Sequence, residues 1–153
     1  MSTTGGTQAG GMAPVDCVAA LAGDLPVAVA SIRAEGGPPA GRTFDLRSAA
    51  GRGELQAWIE ARDGRENLYF TLNAPAEGAA LQGRSGKMRE VDARHLRGIA
   101  IDLDPRPEKP LVAERERVRR EAAELQEFTP PPALVVDTGG GVQAFWLFDA
   151  PLP

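Results

Sequence analysis

The stretch 98–148 limits what this chain can fold into more than any other part of it. It opens with GIAIDLD, where Ile99, Ile101 and Leu103 alternate with small or acidic residues. That spacing predicts a strand over 98–104, with those three on its buried face and Ala100, Asp102 and Asp104 on the other. Residues 110–128 then set Leu111, Val118, Ala122 and Leu125 along one helical stripe, with Glu and Arg opposite. Pro130 to Pro132 stop that helix. Ala133 to Val136 reads as a strand, Thr138 to Gly141 as a glycine turn and Val142 to Phe148 as another strand. The order β-α-β-β calls for one sheet holding 98–104, 133–137 and 142–148. The helix should pack on one face, and the glycine turn should make the last two strands antiparallel. A sheet of this kind ordinarily needs a further helix and strand to cover its open face, so the chain is expected to be cut short at Pro153.

The first half is less regular. Residues 1–14 are small, polar and glycine-rich and are expected to be a disordered tail. A short helix is expected from Val15 to Ala22, a strand after Pro26 in VAVASIRAE, and a turn at GGPPAG (36–41). Leu55, Trp58 and Ile59 place a helix over Glu54 to Arg62, and LYFTL (68–72) reads as a strand by aromatic and β-branched content. Residues 74–97 read as a long basic loop. The fold class is therefore mixed α/β (α+β), with an N-terminal αβ module over 15–97 and a second module over 98–153. The 18 glycines and 13 prolines among 153 residues fit turn-rich connections, because no collagen-like period accompanies them. Apolar stretches no longer than a strand exclude a membrane-spanning helix, and the N-terminus lacks the basic and apolar regions of a secretory signal. A single cysteine, Cys17, excludes a disulfide scaffold or a cysteine-built zinc site. The expected location is cytoplasmic.

Net charge is −4, which does not advertise nucleic-acid binding, but the segment 84–97 is locally basic. Arg84, Lys87 and Arg89 are its candidates for phosphate or template contact, with a solvated loop as the alternative. His95 has no second histidine or cysteine at ligand spacing, and Cys17 sits on an apolar helix stretch. Asp102 and Asp104 carry the sharpest signal. Residues i and i+2 of a strand project from the same face about 7 Å apart. Paired carboxylates repel unless a cation neutralises them, and oxygen ligands suit magnesium or manganese. Two such ions serve in-line attack at phosphorus. A solvated or turn-capping pair is the alternative. Gly139, Gly140 and Gly141 permit close approach by a ligand phosphate, or simply a tight hairpin.

Taken together, the I-D-L-D strand, the charged helix, L-V-V-D and T-G-G-G-V-Q-A-F-W-L resemble the catalytic core of the archaeo-eukaryotic primase superfamily of primase-polymerases. The nearest flavour is the RepB-like primase domain of plasmids and phages. NLYFTLN (67–73) resembles a recurring strand of that family's N-terminal module, and the likeness extends over 27–153. It implies that 98–153 is an incomplete RRM-like catalytic module. It also implies metal-dependent, template-directed nucleotidyl transfer that makes primers on single-stranded DNA from nucleoside triphosphates. Asp102 and Asp104 would hold Mg2+ or Mn2+ as catalytic ligands. Gln143 stands where the family has a phosphate-contacting histidine. A third acidic ligand would come from a later strand that this sequence does not contain, and a helicase domain commonly follows in the parent protein. A non-catalytic nucleic-acid-binding or replication-initiation module with a degenerate site is the alternative.

Overall fold

The computed structural model describes residues 11–76 and 88–153. Among them, three α-helices and two antiparallel sheets make a mixed α+β structure. The first element among the described residues is α1 (Pro14–Ala22), which has proline in its first turn, where an N–H would be unpaired anyway. The expected tail thus ends at least one residue sooner, and residues 1–10 lie outside the described residues. The first sheet has the order β2-β1-β3, built from β1 (Val27–Arg33), β2 (Ala40–Phe44) and β3 (Glu66–Phe70). Both β2 and β3 run antiparallel to the central β1.

Strand β1 is buried on both faces, which explains its unusual VAVAS pattern. Val27 and Val29 face one core, while Ala28 and Ala30 are small enough to let β4 (Ala74–Pro75) approach on the other side. That first core joins Val18 and Ala22 of α1, Phe44, Leu46, and Leu55 and Trp58 of α2 (Ala49–Glu60). Phe44 and Trp58 meet edge to face at 6.2 Å. Helix α2 starts five residues before the predicted Glu54. Ser48 caps it, its Oγ accepting from the Gly51 N–H at 3.0 Å, whereas Gly51 and Gly53 depress helix propensity and hide the start from periodicity. Strand β2 was not expected, because Arg42 and Thr43 interrupt its apolar pattern.

The second sheet has the order β4-β5-β7-β6, from β4, β5 (Ala93–Leu103), β6 (Leu134–Asp137) and β7 (Val142–Leu152). The three expected strands do share this sheet, and β6 and β7 are antiparallel across the glycine turn. Strand β7 lies between β5 and β6, so the strands flanking α3 (Leu111–Leu125) are not neighbours. Two expectations need correction. Residues 93–97 are strand, not loop: Ala74 pairs with His95 and Pro75 with Ala93, and Arg94, His95 and Arg97 had masked the alternation. Ile99 and Ile101 are 55% and 37% exposed rather than buried. They do share a face with Leu103, but the core that Val118 and Ala122 of α3 form with Leu103, Val135 and Val142 includes neither isoleucine. The helix covers one end of the sheet and leaves the other bare.

Among the described residues no helix is long and apolar enough to cross a membrane.

Candidate functional site

The free face of the second sheet carries Gln143 and Phe145 of β7, directly opposite Asp102 and Ala100 of β5. This face and β3 of the first sheet bound one open cleft of about 880 Å3, lined among others by Tyr69, Asp102, Asp104, Gly140 and Gln143. Phe70 and Phe145, with ring centroids 5.8 Å apart, fasten one wall of the cleft to the other. Both carboxylates are exposed; Asp102 is a residue of β5, whereas Asp104, expected to be the last residue of that strand, stands just past its end at Leu103. The Gln143 Nε2 lies 3.5 Å from Asp102 Oδ2, at the outer limit of a hydrogen bond.

The glycine turn is built by its own side chains. Asp137 Oδ1 accepts from the Gly139 N–H at 2.8 Å, and Thr138 Oγ1 accepts from the Gly141 N–H at 3.0 Å. The Thr138 N–H closes the hairpin on the Gly141 carbonyl at 3.0 Å. Gly139 has φ +80, a left-handed conformation that glycine tolerates best. At Gly141 the reason for glycine is different. A Cβ there would stand 2.5 Å from the Leu103 carbonyl oxygen and 2.6 Å from Asp104 Oδ1. The turn is thus pressed against the end of the D-x-D strand, and the two sequence signals form one place. Of the three glycine amides, that of Gly140 alone makes no hydrogen bond among the described residues, and Gly140 alone of the three lines the cleft.

Behind Asp104, a charged cluster that the sequence did not single out holds the chain in place. Glu114 is only 3% exposed and sits in the first turn of α3. Its Oε1 accepts from Arg106 Nη2 at 2.6 Å, and its Oε2 accepts from the Arg106 backbone N–H and Nε at 3.0 Å and from Arg117 Nε at 2.9 Å. The Arg106 hydrogen bonds, supported by Arg117, hold the Glu114 carboxyl down at about 2. Arg117 also donates to the Asp104 carbonyl oxygen at 2.9 Å and to Glu121 at 2.6 Å. The loop leaving β5 is thereby tied to α3, and the backbone of Asp104 with it. An isolated acid on a helix stripe is a sequence signal for such a cluster, since Glu114 stands one turn before the apolar Val118.

The remaining candidates fall elsewhere. Arg84 and Lys87 lie outside the described residues. The Arg89 guanidinium is engaged with Asp92, at 2.9 and 3.0 Å, and its backbone N–H with the same carboxylate at 3.2 Å. Arg97 points inward, donating to the Phe148 carbonyl at 2.8 Å, and its Nη2 comes within 3.2 Å of the space a Cβ would fill at Gly23. His95 is a half-buried strand residue, and burial pushes the Cys17 thiol upward. Trp146 pairs with Ile99 across the strands, which puts it on the face away from Asp102, where its Nε1 donates to the Pro130 carbonyl at 2.9 Å. Among the described residues, no group of three or more His, Cys, Asp or Glu side chains converges as a ready metal cage.

Comparison with family models, with curated proteins and with solved structures finds no match to this chain.

Proposed function

We propose that this chain carries the nucleotide and metal site of a primase-polymerase, with β5, α3, β6 and β7 as an RRM-like catalytic module of a plasmid- or phage-type replication protein. One observation carries the reading: Asp102, Asp104, Gly140 and Gln143, drawn from two strands and a turn, line the same open cleft. The reaction would be attack of a 3′-hydroxyl on the α-phosphate of a nucleoside triphosphate, with release of pyrophosphate, directed by a single-stranded DNA template.

The residues suit the cation that such chemistry uses. Two exposed carboxylates in one cleft offer oxygen ligands to magnesium or manganese, which keep several waters and also draw on substrate phosphates. When bound, such an ion supplies charge neutralisation for the triphosphate and activation of the attacking oxygen. The protein's own part is positioning. Asp102 and Asp104 would hold the ion, the Gly140 N–H would meet a phosphate oxygen, and the Gln143 amide would donate to another. The Arg117 hydrogen bond to the Asp104 carbonyl would keep the second acid in place.

A second reading, a DNA- or nucleotide-binding module without catalysis, is favoured by the lack of a third acidic ligand beside this pair among the described residues. Primer synthesis on single-stranded DNA with manganese separates the two. Synthesis that Asp102→Ala abolishes supports catalysis. Manganese-dependent nucleotide binding through Asp102 and Asp104 without synthesis supports the binding module. Calorimetry giving equal manganese affinity for wild type and Asp102→Asn/Asp104→Asn would move the metal elsewhere and remove the catalytic reading.

A further inference from the structure

Strand β3 forms the wall of the cleft that faces the acids. Its residues alternate: Leu68 and Phe70 pack on the first core, while Asn67 and Tyr69 project outward and are exposed. Tyr69 lines the cleft and is 52% exposed, so its ring is open to a ligand there. Its hydroxyl makes no hydrogen bond among the described residues. The other two rings that line the cleft are engaged with each other, and further rings pack elsewhere. Phe70 and Phe145 pack on each other, Trp58 lies in the first core, and Phe128 and Trp146 face one another on the far side of the second sheet. Tyr69 is therefore the ring in this cleft with a face to offer.

We infer that Tyr69 is the platform on which the base of the bound nucleotide stacks, opposite the wall that carries Asp102 and Asp104. The inference rests on the nucleotide-binding reading above and adds to it the group that contacts the base. The geometry has two ends. Gly140 and Gln143 lie on one wall of the cleft with the acids, where phosphates and metal belong. Tyr69 lines the other wall, which the Phe70–Phe145 ring pair joins to the sheet that carries Asp102, and Phe145 is about 7 Å along β7 from Gln143. A nucleotide with its phosphates toward Gly140 would therefore lay its base toward β3. Stacking is tolerant of base identity, as a template-directed site needs, because every base offers a π-face. Asn67, two residues away on the same face, puts a carboxamide at the edge of that platform.

The chain has a single tyrosine, so a ring-labelled sample gives one set of tyrosine signals. Magnesium-ATP should move the Tyr69 ring protons upfield, and magnesium-tripolyphosphate, which has no base, should leave them in place. Tyr69→Ala should weaken ATP binding roughly tenfold, the order expected for one lost base–aromatic stack, without changing tripolyphosphate binding. Tyr69→Phe, which keeps the ring, should bind ATP as wild type does. Unchanged ATP affinity in Tyr69→Ala overturns the inference, as does an equal loss for ATP and tripolyphosphate. Wild-type protein that binds neither ligand would remove the nucleotide reading and this platform together. ATP binding with the tyrosine shift but no primer synthesis would leave the platform standing and remove only the polymerase.

Discussion

At Gly141 the backbone of the turn and the end of β5 approach until no side chain fits between them. Gly141→Ala should therefore push the turn away from Asp104. We expect a loss of about 1–3 kcal/mol in urea unfolding, the range for overpacking a site that cannot relax. We also expect weaker manganese binding than in wild type, read by calorimetry. Gly140→Ala, where no protein atom closer than the Thr138 hydroxyl at 3.9 Å would meet the new Cβ, should keep stability within about 0.5 kcal/mol. The pair separates a glycine needed for packing from one whose amide is offered to the cleft. Charge type matters at Asp102 in the same way. Asp102→Asn keeps the shape beside Gln143 but removes the charge, so it tests ion binding without disturbing the strand pairing.

The junction of β5 and α3 depends on Glu114. With its folded-state value near 2 and an ordinary value of 4.5, the carboxylate favours the native state at any pH where the unfolded chain would also be ionised. That contribution is fully present above about 4.5 and is lost as pH falls from there toward 2. Wild type and Glu114→Gln should accordingly differ in melting temperature by a constant amount from pH 5.5 to 7, and the two curves should converge as the pH drops below 4.5. A difference independent of pH down to 3 would assign the effect of the substitution to shape instead of charge. In α2, Ser48→Ala removes the cap on the Gly51 N–H and should cost about 1 kcal/mol by chemical denaturation.

Across the whole molecule, the contacts that tie the second sheet to the first half of the chain include the approach of β4 to β1, the Phe70–Phe145 pair beneath the cleft, and Arg97, which reaches from β5 toward Gly23 at the end of α1. Phe145 is buried in this joint. Phe145→Ala should lower stability by about 3–5 kcal/mol, as truncation of a core aromatic does. It should also weaken nucleotide binding, because the wall bearing Tyr69 would lose its anchor. Denaturation by urea and titration with ATP on the same sample check both. On the opposite face, Ile99, Ile101 and Phe128 form an exposed apolar surface that α3 does not cover.

The second half was legible because its periodicities are local. An alternating strand, a helix stripe stopped by prolines and a glycine turn each depend on neighbours a few residues away, and all three elements form, although the strand runs from Ala93 to Leu103 without burying Ile99 and Ile101, and the helix runs from Leu111 to Leu125. The placement of Asp102 on the face away from Leu103 is likewise a property of strand geometry, whereas Asp104 stands past the end of β5, where the Arg117 hydrogen bond holds its backbone. Where polar residues interrupt a pattern, as in β2 and residues 93–97, local signals fell silent and hydrogen bonding to other strands decided; where glycines open a helix, as at Gly51, the Ser48 cap set the start. Burial is not local either. Ile99 and Ile101 alternate like core residues, yet their exposure depends on how far α3 reaches across the sheet. The cleft itself belongs to the tertiary structure, because Tyr69 and Asp102 are 33 positions apart in sequence and share a site only through the packing of two sheets. Backbone geometry fixes which face a side chain takes, and packing between elements fixes what that face meets.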